Sequence, residues 1–408
     1  MDLPLSGITV IEVGAFIAGP FATMQLADLG ARVLKVEDPD GGDAVRSVGP
    51  FVEGESSPFA RLNRNKESIA LNLKSETGKS TLDRLAARSD VIVENLRPGA
   101  MSKLGFGYDQ VQSENPGIIY ASVSGWGQDG PLSKLPGLDI MAQARGGLMS
   151  ITGDPKGPPL KAGLPIADLV GGLYTALAVV AALRERDRTG EGQFIDISLM
   201  ESIVSLAIWE AGEYFVNGNV GQRHGSAHQN LAPYQAIQTS DGHATIGAVT
   251  PKTWRSLCTT LGLDELISDP KFSDAFSRQS HRRELIDRIE TVTSAWTTQK
   301  LINALEAAGV PCAPIADYGQ VFEDSHLKHR EFFWDASHPL MGSVRQMGSP
   351  MRLSKTPTRQ GNAGPPLGAH TKAVLSEAGI DSVVENGSHS SDKAVLNQAD
   401  AGTERDID

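Results

Sequence analysis

One carboxylate, Asp168, stands at the start of a long run of small and apolar residues, PIADLVGGLYTALAVVAALR (165–184). Pro165 disfavours extension of a helix toward the N-terminus, so a helix is predicted to begin beside Asp168. Asp168 could be the helix N-cap, accepting a hydrogen bond from an orphan backbone N–H. It could also be a nucleophile, because a helix N-terminus keeps a poorly solvated carboxylate ionised and oriented. The two roles are compatible.

A second polar group is QRHGSAHQN (222–230), which offers Arg223, His224 and His228. A ligand that carries a free carboxylate would need such cations. The alternative is that the two histidines only order a loop between domains. A zinc site is not expected, because H-x-x-x-H here lacks further ligands and a helical frame.

Composition limits the classes of protein that are possible. With 408 residues, 40% of them hydrophobic, the chain can bury a large core and is expected to form more than one domain. A formal net charge of −12 argues against nucleic-acid binding as the main activity. Cys258 and Cys312 are far apart in sequence, which predicts free thiols and a cytoplasmic protein. We expect neither a secretion signal nor a membrane span, because the apolar runs are interrupted.

The order of predicted elements indicates the domain organisation. Up to residue 130, short Val- and Ile-rich runs alternate with helical patterns, which is typical of a parallel α/β sheet. The first part of a large domain is therefore assigned to 1–215, and a smaller α+β domain with a hairpin and helices to 216–315. The chain is predicted to return to the large domain over 316–382. The polar segment 383–408 has no apolar period and is interpreted as a disordered tail.

The first strand–helix–strand unit, VIEVGAFIAGPFATMQLADLGARVLKVE, is similar to a dinucleotide-binding unit in outline. Its glycines, Gly14 and Gly19, do not form G-x-G-x-x-G, and the dipeptide 16–17 would crowd a pyrophosphate. Glu37 stands where a ribose-binding acid would be, but a plain βαβ unit with Glu37 at a strand end is the preferred interpretation.

Several strings together resemble the class III CoA-transferases, the family of formyl-CoA transferase, carnitine CoA-transferase and α-methylacyl-CoA racemase. Their order and spacing cover almost the whole chain, to about residue 380. The strings are AGPFATMQLADLGARVLKVE (18–37), LNRNKESIALNLK (62–74), VENLRPGAMSKLGFGY (93–108), SGWGQDGP (124–131), PIADLVGG (165–172), RTGEGQFIDISLMES (188–202), GVPCAPI (309–315) and PPLGAHT (365–371).

The resemblance implies a Rossmann-like large domain built from both ends of the chain, a small domain between them, and an interlocked homodimer. It also implies that Asp168 is the nucleophile of a CoA-transferase that moves CoA from an acyl-CoA to a carboxylic acid. Coenzyme A is then a substrate and product, and no permanently bound cofactor or metal is expected. The chain is most similar to the succinyl-CoA-dependent dicarboxylate transferases, through NRNKESIALN and the AH-x-x-x-x-PYQA pattern at 227–236.

The same resemblance implies a set of CoA contacts: Phe16, Ile17, Ala18, Leu71, Lys74, Asn95, Leu96, Arg97, Lys103 and Leu104. The three cations in that set suit phosphates, although isolated cations are more often solvated surface charges. Formyl-CoA transferase has a glutamine at the position of Ile17, which puts an oxalate-type substrate in doubt. Asp38 stands where the family can have a basic residue, so one phosphate contact is expected to be missing.

Two positions bear on the alternative reaction and on protection of the site. Racemases of the family have a histidine immediately before the aspartate that matches Asp139, because exchange of an α-proton needs an acid and a base. Leu138 occupies that place here, which disfavours an acyl-CoA racemase or epimerase. Some members close a glycine-rich loop over the site. The matching stretch, IGAVTPKTW (246–254), keeps only Gly247, which could equally be a simple strand end.

Overall fold

The computed structural model describes residues 2–380, so the predicted tail at 383–408 lies outside the described residues. Apolar runs of the first half form the strands β1 Thr9–Val13, β2 Arg32–Glu37, β3 Phe51–Val52, β4 Glu55–Ser56, β5 Lys66–Ala70, β6 Val91–Glu94, β7 Ile119–Ser124 and β8 Gln193–Ser198. Six of them form a parallel sheet in the order β5-β2-β1-β6-β7-β8, and β3 and β4 pair as a short antiparallel ribbon. The predicted α/β class is confirmed.

Helices connect these strands and cover the sheet. They are α1 Ala18–Asp28, α2 Ser57–Leu62, α3 Glu76–Ala86, α4 Ala100–Leu104, α5 Tyr108–Glu114, α6 Asp139–Arg145, α7 Leu148–Ile151, α8 Ile166–Thr189, α9 Leu199–Val204 and α10 Ile208–Asn217, with a 3₁₀ turn at Ala44–Ser47. Both faces of the central strands are covered in this arrangement, so β1, β6 and β7 are almost fully buried, whereas β8 at the edge of the sheet is partly exposed.

Side chains alternate between two cores on opposite faces of the sheet. Ile11 and Ile92 belong to one core, and the preceding residues Val10 and Val91 belong to the other. This follows from the two-residue period of a strand. The sheet is therefore a central layer packed on both faces, and it holds the loops that follow its strands in fixed positions.

The small residues of the run after Asp168 are explained by helix packing. Helix α8 lies against α1 so closely that a Cβ added to Gly172 would be 2.8 Å from the carbonyl oxygen of Ala18. Among residues 2–380, α8 is also the one helix long and apolar enough to cross a membrane, against the expectation of interrupted runs. Core helices of soluble proteins meet that criterion too, and Val179 and Leu183 of α8 are buried against the sheet.

The next part of the chain has its own core. It contains the strands β9 Tyr234–Gln238, β10 His243–Gly247 and β11 Cys312–Pro314 and the helices α11 Pro251–Leu261, α12 Glu265–Ser268, α13 Ala275–Ser280, α14 Arg282–Thr293 and α15 Thr298–Ala307, with a 3₁₀ turn at Pro270–Phe272. The strands form an antiparallel sheet in the order β11-β10-β9. Ile246, Leu257 and Leu285 are buried together in this core.

The remaining elements are α16 Tyr318–Phe322, α17 Ser325–His329, β12 Phe333–His338, β13 Gly342–Met347 and α18 Thr371–Glu377. Val374 and Leu375 of α18 pack in the same core as Ile11 of β1. The end of the described chain therefore contributes to the core that its beginning forms, although the domain boundaries at residues 215, 315 and 382 stay predictions.

Candidate active site

A cavity of about 670 Å³ lies at the carboxyl ends of β1, β6 and β7. Strand order reverses between β1 and β6, and in open α/β sheets such a reversal leaves a crevice where ligands bind. The cavity is lined by the loops after the three strands, 15–18, 95–98 and 123–126, together with 135–140 and Asp168. Segments distant in sequence thus meet around two carboxylates, Asp139 and Asp168.

Asp168 is the third residue of α8, and it is not the N-cap. The N-cap is Pro165, which makes no side-chain capping hydrogen bond. The N-cap interpretation is therefore wrong, because the helix begins at Ile166, before Asp168. The side chain of Asp168 instead lies on the wall of the cavity, half-buried.

Asp139, the first residue of α6, supplies the missing cap. Its Oδ1 accepts hydrogen bonds from the backbone N–H groups of Ala167 (2.8 Å) and Asp168 (3.4 Å). Its Oδ2 accepts from the side-chain amide of Gln143 at 2.6 Å. Asp139 therefore fixes the end of α8 that carries Asp168. The only local signal for this role was a helix start at Pro165 without a capping side chain of its own.

Burial and the nearby Asp139 charge raise the pKa of Asp168 from 3.8 to about 7. Burial is the larger cause, because it removes water from the ionised form. We had expected the helix N-terminus to keep this carboxylate ionised. That expectation allowed for poor solvation but not for the negative charge of Asp139, and with a pKa of about 7 a substantial fraction of the carboxyl group is protonated at neutral pH.

The loop after β1 is held by a side chain from the loop after β6. Asn95 donates to the carbonyl oxygen of Ala15 (2.8 Å) and accepts from its N–H (3.0 Å). A Cβ on Gly14 would be 2.3 Å from Oδ1 of Asn95, so Gly14 makes room for this clamp. Phe16 follows with a φ of +61°, and its N–H donates to Asp43.

Glu37 is also fully engaged, as the last residue of β2. It forms a salt bridge with Arg46 at 2.7 Å and accepts from the hydroxyl of Ser68 at 2.6 Å. The glycine and the acid that suggested a dinucleotide site thus have structural roles, in agreement with a plain βαβ unit.

Comparison with known proteins identifies this arrangement. Residues 5–371 match the family described as CoA-transferase family III. The chain belongs to that family. It is 40% identical over 375 residues to the succinyl-CoA:glutarate CoA-transferase of Mus musculus, covering 92% of this chain and 86% of the relative. It is 36% identical to the succinyl-CoA:mesaconate CoA-transferase of Haloarcula marismortui, covering 92% and 97% of the two chains.

A solved structure agrees. A CAIB/BAIF family protein from Brucella suis superposes with a TM-score of 0.85 at 36% identity, covering 93% of this chain and all of that chain. The resemblance inferred from the sequence strings is confirmed, and the protein is a family III CoA-transferase.

In this CoA-transferase the cavity brings together half of the predicted site residues, eight of sixteen. Phe16 and Leu138 have 55% and 61% of their surface exposed there. The predicted residues that line the cavity are Phe16, Ile17, Ala18, Asn95, Leu96, Arg97, Leu138 and Asp168.

Four predicted CoA contacts lie outside the cavity lining. Leu71 is only 4% exposed and belongs to the sheet core, against which Leu104 also packs. Lys74 and Lys103 are exposed. Contacts of these four residues with CoA stay predictions, and for Leu71 the side chain has little surface left to offer.

The predicted cationic cluster is not gathered around Asp168. Arg223 donates to the backbone carbonyl oxygens of Ser150, Asp154 and Gly157 at 3.1–3.3 Å, so it joins two loops and does not point a free charge at a ligand. Burial and the Arg282 charge lower the pKa of His224. The prediction of Arg223 as a free carboxylate partner is corrected because backbone oxygens already occupy it.

His228 and Gly247 line a second pocket, beside Tyr234 and Cys312. The centroids of the His228 and Tyr234 rings are 5.2 Å apart. Gly247 is the last residue of β10 and donates its N–H to the carbonyl oxygen of Pro311 at 2.9 Å. Gly247 is therefore a strand end, and its N–H is occupied in this arrangement.

Two charged residues were missed in the sequence, one that lines the cavity and one that lines another pocket. Lys161 lines the cavity from the loop before α8. Glu94 ends β6 and accepts from the N–H of Leu96 at 2.8 Å, and burial raises the pKa of Glu94 to about 7. Glu94 stands inside the VENLRPG string, so its position at a strand end was a usable signal. Among residues 2–380, no group of three or more His, Cys, Asp or Glu side chains could hold a metal ion.

Proposed function

We propose that this CoA-transferase moves CoA from succinyl-CoA or a similar acyl-CoA to a short dicarboxylic acid, with Asp168 as nucleophile. The observation that carries the proposal is the half-buried carboxylate of Asp168 on the wall of the cavity, fixed from behind by Asp139. The names of the relatives, which pair succinyl-CoA with glutarate or mesaconate, support the choice of substrates.

The first half-reaction loads CoA onto the enzyme. The Asp168 carboxylate attacks the thioester carbonyl of the donor, and the C–S bond breaks. CoA thiolate is released, and a mixed anhydride between Asp168 and the donor acyl group is formed. The thiolate then attacks the Asp168 carbonyl carbon of that anhydride. This step releases the donor acid as its carboxylate and leaves an aspartyl-CoA thioester.

The second half-reaction reverses these steps on another acid. The acceptor carboxylate attacks the aspartyl thioester, and CoA thiolate is released again. The thiolate attacks the acceptor side of the new anhydride, which yields the product acyl-CoA and frees the Asp168 carboxylate. The substrates and products are acids and thioesters of similar stability, so the exchange has a free-energy change near zero. The enzyme therefore needs to lower only the activation barrier, and covalent catalysis does this.

Only the ionised form of Asp168 can start the sequence. Its pKa of about 7 means that a substantial fraction is ionised at neutral pH. A carboxylate that is destabilised by burial is also a stronger nucleophile than one solvated by water, because less solvation is lost on attack. Burial thus lowers the ionised fraction of Asp168 and raises the reactivity of the carboxylate that is ionised.

The CoA portion is proposed to lie along the loops after β1 and β6, on Phe16, Ile17, Ala18, Asn95 and Leu96. The Asn95 clamp on Ala15 holds these two loops in a fixed relation. Three exposed cations near this path are proposed as phosphate partners, since an acidic protein must supply positive charge locally. They are Lys74, Arg97 and Lys103.

A racemase would need a second acid–base group facing the substrate's α-carbon. The position before Asp139 is the apolar Leu138, which is 61% exposed at the cavity. Asp139 itself is occupied with backbone N–H groups and Gln143. Transfer is therefore the function that the site supports better.

A homodimer in the cytoplasm is part of the proposal. Helix α10 presents a large apolar surface, with Ile208, Trp209, Phe215 and Val216 between 68% and 81% exposed. Exposed patches of this kind mark interaction sites. A second copy of the chain is the proposed partner, and the two cysteines are free, as a reducing compartment would keep them.

The test is intact-protein mass spectrometry after the protein is mixed with succinyl-CoA and trapped with hydroxylamine or borohydride. We expect a thioester-dependent modification that maps to Asp168 in the wild type and is lost in Asp168→Ala. Asp187→Ala is the matched control, because Asp187 is an exposed aspartate at the far end of the same helix. An unmodified Asp168 with a panel of acyl-CoAs would contradict the mechanism.

A further inference from the structure

A dicarboxylic acid keeps one carboxylate ionised while the other reacts. Burying that charge without a partner is costly, so a transferase for such acids needs a cation at the far side of the acyl pocket. Arg223, the residue first expected to supply it, is bound to three backbone carbonyl oxygens. The cation must come from elsewhere.

The cavity around Asp168 contains two positive side chains among its lining residues, Arg97 and Lys161. Arg97 belongs to the loop after β6, with the proposed CoA contacts Asn95 and Leu96. Lys161 belongs to the loop that leads into α8. The two cations therefore approach the cavity from different elements, one beside the proposed CoA path and the other on the chain that carries the nucleophile.

Hydrogen bonds fix the backbone at Lys161 relative to Asp168. The N–H of Ala162 donates to the side-chain oxygen of Gln143 at 2.9 Å. The amide of Gln143, which is fully buried, donates to Asp139, and Asp139 accepts from the first turn of α8. A continuous series of contacts thus links the backbone beside Lys161 to the backbone of Asp168.

The ammonium group of Lys161 is available to a ligand. It is exposed, and among the described residues its one hydrogen bond is to the carbonyl oxygen of its neighbour Ala162 at 3.0 Å. Burial and Asp139 together account for the raised pKa of Asp168, so Lys161 does not neutralise the nucleophile. Among residues 2–380, Lys161 is not one of the lysines that form salt bridges.

We propose that Lys161 binds the distal carboxylate of the dicarboxylic acid and so determines the choice between dicarboxylic and monocarboxylic substrates. The inference rests on the proposed transfer function and names a subsite of the same cavity. Leu138 and Ile140 are 61% and 44% exposed on the cavity wall and suit the methylene groups between the two carboxylates. An acid with an apolar middle and a charge at each end matches this arrangement.

The test uses the first half-reaction alone, which needs no acceptor. Single-turnover formation of the Asp168 adduct is measured with succinyl-CoA and with butyryl-CoA, whose acyl groups have the same number of carbons but differ in the distal carboxylate. In Lys161→Gln we expect the second-order rate with succinyl-CoA to fall by about 10- to 100-fold, as for a lost charge-assisted hydrogen bond. The rate with butyryl-CoA should stay within about 3-fold, since no charge is recognised there.

Lys156→Gln is the matched control, because Lys156 is an exposed lysine of the same connection that does not line the cavity. Lys161→Arg should recover part of the preference for succinyl-CoA. Equal losses with both donors in Lys161→Gln, or no loss with either, would overturn the subsite while leaving the transfer function intact. Failure of the wild type to form an adduct with either donor would instead overturn the proposed function, and the subsite with it.

Discussion

Two carboxylates, Glu12 and Asp168, lie near the same end of the large sheet and have opposite protonation behaviour. Glu12, in β1, is fully buried and forms salt bridges with Lys35 at 2.6 Å and Lys66 at 2.8 Å. These charges outweigh burial and lower the pKa of Glu12 to about 2. Asp168 has a second carboxylate, Asp139, as its neighbour, and its pKa is raised to about 7.

Burial disfavours the ionised form at both positions, so the difference lies in the neighbouring charges. Glu12 is a structural group: its Oε2 accepts from Thr23 and Lys66, its Oε1 accepts from Lys35, and the side chain is fully buried. Among residues 2–380, Asp168 forms no salt bridge, and the charge beside it is that of Asp139. The comparison shows why one buried carboxylate stabilises the fold and the other is available to react.

The largest expected effect comes from removing the reactive carboxylate. Asp168→Ala should lower the rate of CoA transfer by at least about 10⁴-fold, because the variant lacks the carboxylate that is proposed to form the anhydride. The measurement is steady-state transfer between succinyl-CoA and glutarate. Far-ultraviolet circular dichroism should remain that of the wild type, and Asp187→Ala should transfer CoA normally.

The structural carboxylate should affect stability instead. Glu12→Gln removes the carboxylate that pairs with buried Lys66 and leaves Lys35 with Asp43 alone, and we expect the free energy of unfolding to fall by about 3–5 kcal/mol. Urea denaturation measures it. The control is Glu76→Gln, which removes an exposed pair with Lys79 and should cost less than about 0.5 kcal/mol. Comparable losses of unfolding free energy in Glu12→Gln and Glu76→Gln would mean that the buried salt bridges of Glu12 do not stabilise the fold more than an exposed pair does.

Asp168→Asn should make the protein more stable at pH 8. The pKa of Asp168 is higher in the fold, at about 7, than the ordinary 3.8, so ionisation above pH 4 destabilises the folded state progressively until about pH 7. The asparagine variant has no such ionisation, so its free energy of unfolding at pH 8 should exceed that of the wild type by at most about 4 kcal/mol, as the pKa difference implies. Thermal unfolding at pH 8 and pH 4 tests this, since the gain should vanish at pH 4. A lower melting temperature at pH 8 would contradict it.

The smallest effect concerns pH dependence. The rate of Asp168 adduct formation in the wild type should rise with pH around a midpoint of about 7, because only the ionised carboxylate attacks. In Asp139→Asn the midpoint should move to lower pH, since a negative neighbour is lost. The amide oxygen can still cap α8, but the amide nitrogen cannot accept from Gln143 as Oδ2 does, so the rate at pH 8 should fall by up to about 10-fold. A stopped-flow pH profile with succinyl-CoA gives both values, and an unchanged midpoint would remove Asp139 as a cause.

Local patterns predicted the elements well where the period was strong. Strands β1, β2, β6 and β7, the helix after Pro165 and the hairpin of the smaller domain appear as predicted, whereas β5, with only two apolar residues, was not predicted. Predictions about single side chains were weaker. Arg223 looked like a free cation in the sequence, and only the fold shows that the carbonyl oxygens of another loop surround it.

By itself the sequence determined the family, the alternation of strands and helices, and the identity of Asp168 as the candidate nucleophile, because these depend on residue type and spacing along the chain. The tertiary structure decided that Asp139, 29 residues earlier, caps the helix of Asp168. It also decided which cation reaches the cavity and in which direction each buried pKa moves. Those properties depend on distances through space and on the water that packing excludes, and neither is written in the local order of residues.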